Sequence, residues 1–261
     1  MIRFCPLCSG SSGNSTYIGT EKEGILIDAG RSCKYLVQSL TAMGIEPQAV
    51  RAVLVTHDHQ DHISALRVLG KKLKCPIYAT PETLEGIRLS GMEGAESFLE
   101  ELPKHLSVAE MEVHSFDTPH DASHSVGFRI DTGSRKIGFA TDLGKVTKEV
   151  WKGLEGCDLV LLEANYDEAM LSLSSYPYDL KRRIRSAHGH LSNPDSADCI
   201  CRLAETGTAR FYLGHLSQEN NMPAIARQTV ELALEARGMK AGRDYQLEVA
   251  KRLEPSSPTL F

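Results

Sequence analysis

No apolar run in the 261 residues approaches the roughly 18 that a membrane-spanning helix needs, so no such helix is expected and the protein should have no membrane partner. The opening stretch, Met-Ile-Arg-Phe-Cys-Pro-Leu-Cys, passes at once into a Ser/Gly-rich turn and lacks the apolar centre of a secretory signal. A cytoplasmic location is the resulting expectation. Cysteine is too sparse for a disulfide framework, because seven is an odd number spread over a long chain. Cys5 and Cys8, or Cys199 and Cys201, suggest zinc ligands only if a second pair stands at zinc-finger spacing, and none does; they read as buried thiols. An excess of positive charge is also missing. The net charge of −5 excludes a protein that coats nucleic acid through global charge, so a polyanion has to be held by a local patch and by metals. Nor is there an internal repeat or a linker long enough to divide the chain.

What is present is a recurrence of short apolar runs with helical patterns between them. Residues 24–29, 52–56, 76–79, 126–131, 136–141, 158–163 and 210–214 fit the template of buried strands. Helical periodicity occupies 32–43, 61–73, 81–89, 147–154, 195–205 and 222–235, with Thr147 and the pair Asn193-Pro194 as helix starts. The pattern predicts one α/β domain over 1–252, built as two sheets face to face and covered by helices, a four-layer αββα sandwich. The Pro/Ser-rich residues 253–261 read as a flexible tail.

Most of these strands end in a residue able to do chemistry: Asp28, His57, Asp142, Glu163 and His215. In α/β folds, loops at the carboxyl ends of strands carry the ligand-binding groups. The densest case is the run His57-Asp58-His59-Gln60-Asp61-His62, which directly follows an apolar strand. Two imidazoles two residues apart in extended chain point to one side and can grip one cation, with Asp61 and His62 following at the start of a helix. Such clusters also occur on solvated loops, but four groups able to bind metal at the end of a buried strand set this one apart.

The H-x-H-x-D-H pattern resembles the signature of the metallo-β-lactamase fold superfamily, and later motifs follow in matching order. His120 in Thr-Pro-His-Asp-Ala, Asp142 after its strand, and His215 in Leu-Gly-His-Leu-Ser resemble the remaining ligand positions. The resemblance implies two divalent ions, one on His57, His59, His120 and Asp142, the other on Asp61, His62, Asp142 and His215. Imidazole and carboxylate donors suit zinc, manganese or iron, and two such ions about 3.5–4 Å apart clamp the attacking and leaving oxygens of a displacement. Water bound to them loses a proton near neutral pH and is the expected bridging nucleophile. Asp28 is expected to support a ligand histidine from behind, the alternative being an exposed strand-end carboxylate.

His59 distinguishes the chain from oxygen-reducing diiron members, which carry an acid there, and Asp142 distinguishes it from true β-lactamases. A phosphoester hydrolase is the better fit. Leu-Leu-Glu163-Ala-Asn with His188-Gly-His190-Leu-Ser-Asn looks similar to ribonuclease Z, which implies His190 as the general acid and Glu163 as its orienting carboxylate, although Glu163 also suits a strand cap. Asp61 is counted with them as catalytic. The Gly10-Ser11-Ser12-Gly13-Asn14-Ser15 hairpin, the His-Asp-Ala motif, the Gly-His-Leu-Ser-Asn run and Gly-His-Leu-Ser-Gln-Glu-Asn-Asn together resemble the YycJ/WalJ group, associated with 5′-to-3′ exonuclease action on double-stranded DNA. Candidate substrate contacts are Ser12, Asn14, His188, Arg182, Arg183 and Arg185; the three arginines lie either against a phosphate backbone or on a solvated face. The spans between motifs leave no room for a large inserted domain, and helices within 81–106 are expected to roof the groove. A small cyclic or nucleotide phosphodiester, an RNA, or a regulatory role without turnover are the competing readings.

Overall fold

Strands flanked by close turns bury their apolar residues, and connecting segments of helical period pack on them. The computed structural model describes residues 1–91 and 95–261. In chain order its elements are β1 (Arg3–Cys8), β2 (Ser15–Gly19), β3 (Gly24–Ile27), α1 (Cys33–Ala42), β4 (Val50–Leu54), α2 (Gln60–Ile63), α3 (Leu66–Leu73), β5 (Ile77–Ala79), α4 (Pro81–Leu89), β6 (Leu99–Glu101), β7 (Leu106–Val108) and β8 (Met111–Asp117). They continue with β9 (Val126–Asp131), β10 (Lys136–Ala140), α5 (Lys148–Leu154), β11 (Leu159–Glu163), α6 (Glu168–Leu173), α7 (Tyr178–Ile184), α8 (Asn193–Glu205), β12 (Arg210–Gly214), α9 (Pro223–Ala236), β13 (Gln246–Val249) and β14 (Thr259–Leu260). Among the described residues, no helix is long and apolar enough to cross a membrane.

These form two seven-stranded mixed sheets, ordered β14-β1-β2-β3-β4-β5-β6 and β13-β12-β11-β10-β9-β8-β7. The chain divides into two compact units: Met1–Val113 with Ala122–Ser125 and Lys251–Phe261, and His114–Asp121 with Val126–Ala250. In the first unit, Leu36 and Leu40 of α1, Leu66 and Leu69 of α3, and Leu84 and Ile87 of α4 share one core with Leu26, Val53 and Ile77. In the second, Val150 and Leu154 of α5, Ile200 and Leu203 of α8, and Val230 and Leu234 of α9 pack with Val160, Leu162 and Leu213. The central strands β3 and β11 are buried at every position, which is why they read as continuous apolar runs without alternation.

The helix expected over 61–73 is two helices, and the break has a definite cause. The N–H of Ala65 donates to Ala29 O at 2.9 Å, while the Asp61 carbonyl it would have reached accepts from Asn14 N–H at 2.8 Å. Tertiary bonds have replaced one rung of the helix. Among the described residues of 81–106, only α4 is α-helical; a 3₁₀ turn over Glu96–Phe98 and the short strands β6 and β7 follow, and residues 92–94 lie outside the described residues. The tail also differs from its polar appearance. β14 pairs antiparallel with β1, Phe4 opposite Thr259, and buried Ser256 accepts from Cys5 Sγ at 3.1 Å and donates its N–H to Pro6 O at 2.9 Å. Backbone pairing at a sheet edge holds it, and composition does not report that.

The seven cysteines are free thiols, and Cys5, Cys8 and Cys199 are buried deeply enough that desolvation pushes each up to about 12. They are poor thiolates at neutral pH.

Candidate active site

In the first unit, β4 delivers Val55, Thr56 and His57 into the interior with no solvent exposure, and His59 starts α2, whose first turn carries Asp61 and His62. Behind the run lies Asp28, fully buried at the end of β3 and held at φ 61°, a left-handed conformation uncommon outside glycine. Its Oδ2 faces His62 Nδ1 at 2.8 Å, and its Oδ1 accepts the Thr56 N–H at 2.8 Å. Burial pushes the Asp28 carboxyl up, against the opposing pull of His62 and Thr56. The Thr56 hydroxyl lies 3.0 Å from Asp28 Oδ2 and 3.0 Å from His57 Nδ1. Asp28 therefore contacts His62 directly and His57 only through Thr56. Thr56, which the sequence did not single out, is its partner.

Asn14, expected to touch substrate, is buried beside these groups. Its Oδ1 accepts from Gly10 N–H at 2.9 Å, and its Nδ2 lies 3.0 Å from His62 Nε2 and 3.3 Å from Asp61 Oδ2. Ser12, at the hairpin tip, is exposed. Asp58 points elsewhere, accepting from the Ser123 hydroxyl at 2.5 Å and the Ser123 N–H at 3.2 Å.

In the second unit the parallel register does the gathering. Ala140 stands opposite Leu162, and Glu163 opposite Gly214, so the ends of β10, β11 and β12 present Asp142, Glu163 and His215 side by side. Asp142 and His215 both take positive φ, 57° and 52°, where the chain turns away from its strand. Asp142, Glu163, His190 and His215 each bring a ligand atom within 4.8 Å of the others. Glu163 Oε1 lies 2.9 Å from His190 Nδ1 and 2.7 Å from His215 Nδ1, while Oε2 accepts the N–H groups of Leu143 and Leu191 at 3.0 Å each. Burial would raise this carboxyl, but the His190 charge and the hydrogen bonds from both imidazoles overcome it and hold Glu163 below the usual range. The same pair works on His190. Burial lowers its pKa, the Glu163 charge and hydrogen bond raise it by more, and the net shift is upward. The His190 side chain keeps 21% of its surface exposed, so it can reach a substrate.

His120 follows β8, with Nδ1 3.0 Å from Gly189 O and Nε2 3.6 Å from Asp142 Oδ1. Desolvation lowers its pKa and keeps the ring neutral, the state in which imidazole binds a metal. The donor chemistry fits divalent metal in both units. An oxygen faces Nδ1 of His62, His120 and His215, which assigns the ring proton to Nδ1 and the donor lone pair to Nε2, as in carboxylate–histidine–metal arrangements.

Asn165, Asn193 and Asn221 form a buried brace that residue patterns did not reveal. Asn193 and Asn221 exchange reciprocal amide bonds of 3.0 and 2.8 Å, Asn221 donates to Ala164 O at 2.9 Å, and Asn165 Nδ2 donates to His215 O at 2.8 Å. The basic run is largely engaged within its own unit: Arg183 pairs with Asp121, Arg185 with Glu168 at 3.1 Å, and Arg182 with Asp179 at 3.3 Å. His188 is exposed, its backbone N–H on Ser186 Oγ at 3.3 Å.

Residues 24–216, a span that contains Asp28, every candidate ligand and the Glu163–His190 pair, match the family model described as Beta-lactamase superfamily domain. The chain belongs to the β-lactamase superfamily. Within the superfamily it is 32% identical over 99% of its length to Exodeoxyribonuclease YycJ of Bacillus anthracis, covering 97% of that protein. It is 34% identical over 94% of its length to Exodeoxyribonuclease WalJ of Streptococcus pneumoniae, covering 93% of it. In structure it is similar to the metallo-β-lactamase fold protein YhfI from Bacillus subtilis, with a TM-score of 0.70, 16% identity, and coverage of 98% and 99% of the two chains. The α/β metallo-β-lactamase fold is thereby shown. Superfamily membership together with the buried His/Asp donors makes the protein a metal-dependent hydrolase.

Proposed function

We propose that this hydrolase is a phosphodiesterase that degrades DNA, double-stranded DNA by preference, from a 5′ end. The observation that carries the reading is the Glu163–His190 contact beside Asp142 and His215, together with extensive similarity to two proteins named exodeoxyribonucleases. The proposed ligands are those the family pattern assigns: His57, His59, His120 and Asp142 for one divalent ion, and Asp61, His62, Asp142 and His215 for a second. Zinc and manganese suit these donors, and so does iron.

Such ions supply Lewis-acid stabilisation of phosphoryl oxygens and lower the pKa of water. The chain's residues do the rest. An expelled alkoxide is a poor leaving group until protonated, and His190 offers the proton. Glu163 accepts from His190 Nδ1, so Nε2 of the imidazolium is the donating position. Glu163 itself is fixed by two backbone N–H groups, which leaves the dyad little freedom to turn. To Asp61, next to Asn14 and His62, we assign the orienting of the attacking water.

A linear duplex labelled at either 5′ or 3′ end, incubated with manganese, tests the reading. Early release of the 5′ label with slow loss of the 3′ label is expected. An intact duplex alongside rapid turnover of a bis-aryl phosphate would replace it with a small-phosphodiester hydrolase, and preferential RNA cleavage with an RNA-processing enzyme.

A further inference from the structure

The arginines that the sequence offers as a nucleic-acid patch, Arg182, Arg183 and Arg185, are each paired with a carboxylate. A second set of cations is not contiguous in sequence and emerges only in the fold. Lys148 and Lys152 stand four residues apart on α5, hence on one face, and line a groove of about 220 Å³ with Trp151 and Arg202. A second groove of about 270 Å³ shares Arg202 and Val146 with it and adds Lys145 and Leu191, with Asp195 and Asp198 also in its lining.

Among the described residues, no carboxylate lies within salt-bridge distance of Lys145, Lys148, Lys152 or Arg202. The acids nearby are otherwise engaged. Asp198 pairs with Arg237 at 3.1 Å, Asp195 accepts from Ser192 Oγ at 2.5 Å, and Glu149 bonds to its own backbone N–H and to Thr147 while attracting Lys152 and Lys148 only from beyond ion-pair distance. The Arg202 guanidinium lies 4.3 Å from the centre of the Trp151 ring. That stacking holds a long side chain in one orientation and lowers the entropy lost when it grips a ligand.

The second groove is joined to the reacting groups through its lining and the chain beside it. Leu191 follows His190 and places its N–H on Glu163, and the 144–147 segment leaves Asp142 and Leu143, whose N–H is also on Glu163. Leu191, in the lining of the second groove, thus ties that groove directly to Glu163, and Lys145 stands three residues past Asp142 in the chain.

Resting on the nuclease reading, we infer that this groove is the track for the DNA backbone, with Lys145, Lys148, Lys152 and Arg202 contacting successive phosphates and Trp151 fixing the arginine. Charge complementarity commits the occupant. Four cations, none within ion-pair distance of a carboxylate, in grooves joined through Leu191 to the Glu163 of a phosphodiesterase site, match a nucleic-acid backbone.

The sequence contains a single tryptophan, so intrinsic emission reports this groove alone. Binding of a labelled 20-base-pair duplex is followed by anisotropy in EDTA, at several salt concentrations, with tryptophan emission read on the same samples. For the native protein, emission is expected to change in step with anisotropy. In the triple variant Lys145→Gln, Lys148→Gln, Lys152→Gln the slope of log K against log salt is expected to fall by roughly 2 to 3, about 0.9 per lost phosphate contact, while Lys22→Gln leaves it unchanged. Native protein that binds duplex with unaltered tryptophan emission, or a triple variant with the native slope, overturns the groove and leaves the nuclease reading standing. Native protein that neither binds nor degrades duplex removes both.

Discussion

Glu163 is the residue on which the second unit's chemistry converges, since one oxygen serves two imidazoles and the other holds two backbone amides. Its charge raises the pKa of His190, and a general acid works only while protonated. Activity should therefore be retained as pH rises past the ordinary imidazole value and be lost as pH passes the raised one. Glu163→Gln removes the charge, so the alkaline limb of kcat should move to lower pH; an unmoved limb in a full pH profile would contradict the coupling. His190→Ala should keep its metal and lose about 10²- to 10⁴-fold in kcat, most severely on substrates with poor leaving groups. Equal loss on an activated aryl ester would refute the acid role.

Between elements, the site depends on how strands end. Asp28, Asp142 and His215 all sit at positive φ just past a strand, a conformation of order 1–3 kcal/mol above the ordinary one and retained where surrounding bonds over-determine it. The asparagine brace supplies such bonds behind His215. Asn221→Ala leaves Asn193 and the Ala164 carbonyl without partners and should cost about 1–3 kcal/mol or more, read as a lowered Tm. A Tm unchanged within a degree would show the brace to be dispensable. Among the described glycines of the first unit, Gly30 leaves the least room for a Cβ. A Cβ there would lie 1.6 Å from the Asp61 carbonyl oxygen, so Gly30→Ala must displace the turn that carries Asp61 and His62.

Much of this was legible in the sequence. The strand-end residues and the 57–62 run announce themselves because buried strands are apolar and their polar terminators stand out. Thr56, the asparagine brace and the α2–α3 break were not legible, because each depends on a partner distant in sequence: Asp28 for Thr56, Asn221 for Asn193, Ala29 for Ala65. The carboxylate partners of the basic run are hidden for the same reason, since Asp121 and Glu168 lie outside it.

At the scale of the whole molecule, the chain builds two sheets from nearly sequential stretches and then returns its last residues to the first. Deleting residues 253–261 removes β14 and exposes the edge of β1, so the truncated protein should unfold at a lower temperature and aggregate more readily. An unchanged Tm would show that this strand contributes nothing.

The same scale frames the central claim, that histidines and aspartates from both units are ligands of catalytic metal while His190 serves proton transfer. Metal content measured by elemental mass spectrometry on native protein, Asp142→Ala and His190→Ala tests it most directly. The account predicts two divalent ions per chain in the native and His190→Ala proteins and at most one in Asp142→Ala. Two ions retained in Asp142→Ala, or none in the native protein after loading with zinc or manganese, would contradict it.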